Sequence, residues 1–109
     1  MHELAIAESI IEAVQTKTGD HAVRSVRLQV GHLSGVLTDA LTFSFELAAH
    51  GTPLEGAQLL IDEPPGRLHC RSCGRDIDRD DLVLLCECGS ADVEVTAGRE
   101  LAVLSVEVT

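Results

Sequence analysis

Apolar residues recur at helical spacing from the start of the chain. Leu4, Ala7, Ile11 and Val14 fall on one stripe, Ile10 widens it and Gly19 follows, so the pattern predicts an amphipathic helix over residues 3–17. The period then changes. In residues 22–30, Val26, Leu28 and Val30 alternate with Ser25, Arg27 and Gln29, the signature of a half-buried strand. The run Gly31-His32-Leu33-Ser34-Gly35 reads as a loop. A second helical stripe, Leu37, Leu41, Phe45 and Ala48, follows Thr38 as a candidate N-cap, with Asp39 in the first turn and Gly51 and Pro53 after His50. Residues 57–63 read as a strand closed by Pro64-Pro65, and residues 99–108 alternate again through Ala102, Leu104, Val106 and Val108.

Between these last two strands the chain changes character. Residues 66–97 are rich in Cys, Gly, Asp and Arg, with two short apolar runs at 82–85 and 93–95. The pattern predicts an α+β fold with two helices packed on a three-stranded sheet and an inserted zinc ribbon-like module. The sheet domain is assigned to 1–65 plus 98–109 and the module to 66–97.

Composition sharpens this picture in two ways. The chain has 109 residues, is 45% apolar, and contains two Phe but no Trp or Tyr, so its core is aliphatic. A domain of this size buries only about two-thirds of its unfolded surface, and a metal staple suits it. The net charge is −10. Such a surface repels phosphate backbones and anionic membranes and favours cations. No leader or membrane-length apolar run is visible, which predicts a cytoplasmic protein with neither nucleic acid nor membrane as partner.

In a reducing compartment four cysteines are better read as metal ligands than as disulfides. Cys70-x-x-Cys73 is followed after twelve residues by Cys86-x-Cys88, and Gly74 and Gly89 trail the two pairs. Paired cysteines on glycine-containing turns suit tetrahedral thiolate coordination, with zinc preferred and a single iron as the runner-up. Four protein thiolates would close the shell, so the ion is a staple and not a catalytic centre. The second pair is one residue shorter than in most zinc ribbons, and His69 is a reserve ligand.

The other candidate site is the opening tripeptide Met1-His2-Glu3. The His2 ring Nδ1 and its own backbone nitrogen close a six-membered chelate, and the Met1 amine with that same nitrogen closes a five-membered one. Met1 is retained where the second residue is as large as His. Glu3 and Glu8 favour a cation nearby. Planar nitrogen-rich sites that recruit deprotonated amides select nickel(II) or copper(II). In a square plane the His2 amide nitrogen has two cis neighbours. The imidazole takes one, and either the Met1 amine or the Glu3 amide takes the other. The tripeptide therefore supplies three donors. The fourth is left open among the Glu3 carboxylate, a remote histidine such as His69, water and a partner protein. His21, His32 and His50 are read as structural or solvent-exposed. No G-x-x-x-x-G-K-[ST] phosphate loop and no G-x-S-x-G elbow occurs, so the chain is not read as an enzyme.

Taken together, Met1-His2-Glu3-Leu4, Val30-Gly31-His32-Leu33-Ser34-Gly35-Val36, Gly56-Ala57, the cysteine module and Gly98-Arg99-Glu100-Leu101 carry a family pattern. The chain resembles, over its whole length, the HypA/HybF family of nickel-insertion proteins for nickel–iron hydrogenase maturation. The resemblance implies a nickel metallochaperone. It places nickel at Met1, His2 and Glu3, and structural zinc at Cys70, Cys73, Cys86 and Cys88. It also implies a HypB-type GTPase partner and delivery to the hydrogenase large subunit. Some relatives also serve urease maturation, which adds urease accessory proteins as partners. His32 departs from the acidic residue common in that loop, and Cys86-x-Cys88 departs from the usual pair spacing. Two other readings fit the residues: a zinc-ribbon adaptor without nickel, and a thiol-dependent redox protein.

Overall fold

The computed structural model describes residues 2–109. In chain order the elements are α1 (Glu3–Thr18), β1 (Val23–Val30), α2 (Thr38–Ala49), β2 (Gln58–Asp62), β3 (Gly66–Cys70), β4 (Asp76–Arg79), β5 (Val93–Ala97) and β6 (Leu101–Val108). The strands form two three-stranded sheets, ordered β2-β1-β6 and β4-β3-β5. Two compact units result. One comprises Met1–Leu28, Val36–Ile61 and Ala102–Thr109; the other comprises Gln29–Gly35 and Asp62–Leu101. Among the described residues no helix is long and apolar enough to cross a membrane.

The first unit holds the two helices and most of the sheet β2-β1-β6. Ala7, Ile10, Ile11 and Val14 of α1 are buried, as are Leu41, Phe45 and Ala49 of α2 and Val26 and Leu28 of β1. These positions repeat at helical spacing on the helices and at every second residue on the strand, so each element presents one apolar face to a shared core. The expected architecture of two helices on a three-stranded sheet is present. Its edges differ in detail from the sequence pattern. Leu37 is 69% exposed and precedes α2, and Thr38 is the first helical residue, with no side chain capping the helix. The carbonyl of Thr38 accepts a bond from Thr42 Oγ1 at 3.0 Å. His50 lies just beyond the helix, its ring 2.9 Å from Glu55.

β6 runs antiparallel to β1. Gly31 N–H donates to Glu100 O at one end of the pairing, and Thr109 N–H donates to Ala22 O at the other. The alternation along β6 does not correspond to burial, since only Val106 is half-buried and the other residues are exposed.

In the second unit the sequence pattern marks a zinc ribbon-like module and two short apolar runs but assigns no individual strands, and the structure supplies them. Three short strands form an antiparallel sheet around β3, which pairs β4 with Arg67 opposite Asp78 and His69 opposite Asp76. Both facing pairs are bonded through their side chains: Arg67 Nε lies 3.2 Å from Asp78 and His69 Nδ1 lies 2.9 Å from Asp76. On its other side β3 pairs β5, with a register shift between Arg67 and Leu68. Charged residues alternate with single apolar ones in these strands, so hydropathy alone reads them as loop.

Within this unit, backbone bonds join the loop after β1 to the segments flanking β3 and β5. His32 N–H donates to Pro64 O and Leu33 N–H donates to Gly98 O. Leu33 and Leu68 are buried there. The segments approach so closely that only glycine fits. A Cβ on Gly66 would strike the Arg79 carbonyl and the Leu33 side chain; one on Gly98, whose φ is +104°, would strike Gly66 Cα.

Candidate metal centres

The four cysteines converge. Their sulfurs all lie within 4.8 Å of one another, and among the described residues no other group of three or more His, Cys, Asp or Glu ligand atoms does so. Cys70 ends β3, Cys73 sits on the turn after it, and Cys86 and Cys88 sit on the turn before β5. Two pairs cross between the two turns: Cys70 to Cys88 at 3.7 Å and Cys73 to Cys86 at 3.6 Å. A disulfide requires about 2.0 Å. A tetrahedron with bonds of about 2.3 Å separates its sulfurs by about 3.8 Å. The donor set therefore fits a tetrahedral ion, and the one-residue-shorter second turn still delivers Cys88 to it.

Both turns are built by local backbone bonds. Cys73 N–H points at Cys70 Sγ at 3.5 Å, and Gly74 N–H donates to Cys70 O. Gly89 N–H donates to Cys86 O and Cys86 N–H to Ser90 O. Side chains then tie one turn to the other. The Ser72 and Ser90 hydroxyls are 2.8 Å apart, and Arg71 bonds Asp92 at 3.1 Å while its amide donates to Asp92 O. These links were not read from the sequence, because Ser and Arg between cysteines have no distinctive spacing.

Electrostatics divide the thiols. The Arg75 guanidinium, with the Arg75 backbone amide, holds the Cys73 thiol down to about 6. The amide of Cys73 lowers Cys70. For Cys86 the amide of Cys88 pulls downward, but burial and the neighbouring sulfurs push it up to about 11. One exposed thiol is thus readily ionised while a buried one resists ionisation unless a cation replaces its proton. Arg75 was also absent from the sequence reading; its only signal is a basic residue directly after Gly74.

At the other candidate centre, His2 occupies the N-cap of α1, and its carbonyl accepts the Ile6 amide at 3.1 Å. The imidazole is exposed and no side chain caps the helix. The first amides of a helix have no intrahelical acceptor, so those of Glu3 and its neighbours carry no helical bond. Glu3 Oε2 lies 3.5 Å from the Leu37 amide. Met1 lies outside the described residues.

A family profile described as "Hydrogenase/urease nickel incorporation, metallochaperone, hypA" matches residues 1–108. The chain belongs to the HypA family. It is 47% identical to a hydrogenase maturation factor HypA of Streptomyces avermitilis, over 97% of this chain and 86% of that protein. It is 40% identical to the HypA of Geobacter metallireducens, over 99% of both. Among solved structures it is similar to the solution structure of the Ni metallochaperone HypA from Helicobacter pylori, with TM-score 0.64 and 25% identity over 99% of this chain and 97% of that one. HypA proteins are nickel-incorporation metallochaperones of hydrogenase maturation.

Two histidines weighed from the sequence are placed by this fold. His69 is bound to Asp76 and stands outside the thiol cluster. His32, the departure from the family loop, bonds Asp80 at 3.1 Å.

Proposed function

We propose that this chain carries nickel(II) at its N-terminus and delivers it during maturation of nickel–iron hydrogenase. The ligands are Met1, His2 and Glu3, and a zinc ion held by Cys70, Cys73, Cys86 and Cys88 acts as a structural staple. Residues 1–65 with 98–109 form the nickel-binding domain and 66–97 the zinc-binding module. The protein is not an enzyme and works in the cytoplasm. Its partners are a HypB-type GTPase and the hydrogenase large subunit. The urease wording of the family description supports urease accessory proteins as further partners.

The observation that carries this reading is the state of the helix start. His2 caps α1 with an exposed imidazole and no capping side chain. An amide nitrogen there loses its proton to a metal without breaking a helical hydrogen bond. The helix behind it, anchored by buried Ala7, Ile10 and Ile11, holds the chelating atoms in one place. An exposed site with three donors from the chain leaves room for an incoming ligand, which suits transfer. The bound zinc supplies a fixed tetrahedral node that closes the two cysteine turns. A dithiol redox centre needs two sulfurs, whereas four converge here.

The test is a nickel titration of the zinc-loaded protein, wild type and His2→Ala, read by absorption and by zinc content. The substitution should weaken nickel binding beyond the roughly 10- to 100-fold that outer-shell changes cost, with zinc unchanged. Equal nickel binding by both proteins sinks the proposal. A variant with one residue added before Met1 separates the amine from the Glu3 amide as donor.

A further inference from the structure

The cysteine unit carries an apolar run that its own core does not use. Leu82-Val83-Leu84-Leu85 is a block of consecutive apolar residues that leads directly into Cys86. Leu82 is 62% exposed, Val83 54% and Leu85 43%, and only Leu84 is half-buried. The run belongs to no helix or strand. Its backbone is under-used as well. Among the described residues the N–H and C=O groups of Leu82 and Leu84 make no hydrogen bond, nor does the Leu85 N–H. Exposed apolar side chains beside free main-chain donors and acceptors are what an added strand from another protein requires.

The run is nonetheless held in place. Arg79 Nη2 donates to the Leu85 carbonyl at 2.6 Å, the Val83 amide donates to the Asp81 carboxylate at 2.9 Å, and the Cys86 amide donates to Ser90 O. Just before it, Asp80 is bonded to His32 at 3.1 Å. A strip fixed from both ends loses little freedom when a partner docks on it.

Charge selects the partner. Asp80 and Asp81 precede the apolar run and Glu87 follows it, all exposed. Arg79 offsets one of these charges. Four thiolates around the proposed zinc add negative charge beside Glu87, which stands between Cys86 and Cys88. A second copy of the run would bring the same carboxylates to each end of the joint, and an anionic membrane would be repelled in the same way. We infer that Leu82–Leu85 is a docking strip for a protein partner, an extended segment whose short apolar stretch is bounded by Lys or Arg. Its apolar side chains cover Leu82, Val83 and Leu85, its main chain bonds to Leu82 and Leu84, and its cations meet Asp80, Asp81 and Glu87. So short a strip falls well below the roughly 800 Å² per partner of a standard interface, so the contact is weak and reversible. None of the proposed nickel donors takes part, so a partner held here leaves them available for transfer.

Panning a displayed library of random peptides of roughly ten residues on the zinc-loaded, nickel-free protein tests this independently of the nickel reading. Enriched peptides should carry Lys or Arg beside β-branched or aromatic residues, and added salt should weaken their binding. Leu82→Ser and Val83→Ser, both at exposed positions, should each lower that affinity at least about tenfold with zinc content unchanged. Enrichment of acidic peptides, of peptides that bind both variants as tightly as the wild type, or of none would each overturn the inference. Binding of phosphatidylserine vesicles at the same amides also overturns it. Hydrogen exchange of the wild type with one selected peptide needs no variant to fold: the amides of Leu82, Leu84 and Leu85 should gain protection, and unchanged exchange there sinks the assignment.

Discussion

The two units solve the same problem by different means. The helical unit buries Ala7, Ile10, Ile11, Val14, Val26, Leu28, Leu41, Phe45 and Leu54 around one core. The cysteine unit buries Val30, Leu33, Leu68 and two of its own sulfurs, and its exposed apolar residues Leu82, Val83 and Leu85 contribute no core. A sheet of three strands of four or five residues cannot offset its chain entropy with so little apolar burial. Its ion pairs, Arg67–Asp78 and Arg71–Asp92, are solvent-exposed and individually worth at most about 1 kcal/mol. One unit is held by hydrophobic burial, and the other needs a cross-link of the kind the proposed zinc would make at its thiols.

The largest effect should come from removing that cross-link. Structural zinc supplies about 10–16 kcal/mol in small zinc-dependent domains. Cys70→Ser, or chelation of the wild type, should abolish stoichiometric zinc and strip hydrogen-exchange protection from β3, β4 and β5, while α1 and α2 keep theirs. Collapse of the helices together with the cysteine unit would break the comparison.

Next in size is the aliphatic core. Phe45 is 1% exposed and Phe43 is 59% exposed, two residues apart on the same helix. Phe45→Ala should cost about 3–5 kcal/mol in denaturant unfolding of the helical unit. Phe43→Ala should stay within about 0.5 kcal/mol. Similar costs for the two would mean that helix propensity, not burial, holds α2. Smaller again is the glycine crossing of the second unit. Gly98→Ala introduces a left-handed non-glycine residue against Gly66 Cα and should cost about 1–3 kcal/mol. That loss should be read as faster zinc release to a chelator, with the thermal unfolding of the helices unchanged.

The sequence made the helical unit legible because its periods are long and clean: Ala7, Ile11 and Val14 on α1, Val26 and Leu28 on β1. It made the cysteine set legible through spacing alone. It did not reveal β3, β4 and β5, where residues such as Leu68 and Ile77 stand singly between charges and the stabilising partners are distant in sequence. Nor did the spacing announce Arg75, Ser72 and Ser90, whose roles depend on where the two turns meet. The β6 alternation was visible, but alternation cannot say whether a strand ends up central or at an edge.

The residues by themselves thus offered the candidate donors, the four cysteines and the proposed Met1-His2-Glu3 set, since donor type and local spacing are properties of the chain. Tertiary structure decided the rest. It brought Cys70 beside Cys88 and Cys73 beside Cys86, set Cys73 low and Cys86 high through Arg75 and burial, and left every residue of β6 but Val106 exposed. Those outcomes depend on distances between segments far apart in sequence, which no local pattern encodes.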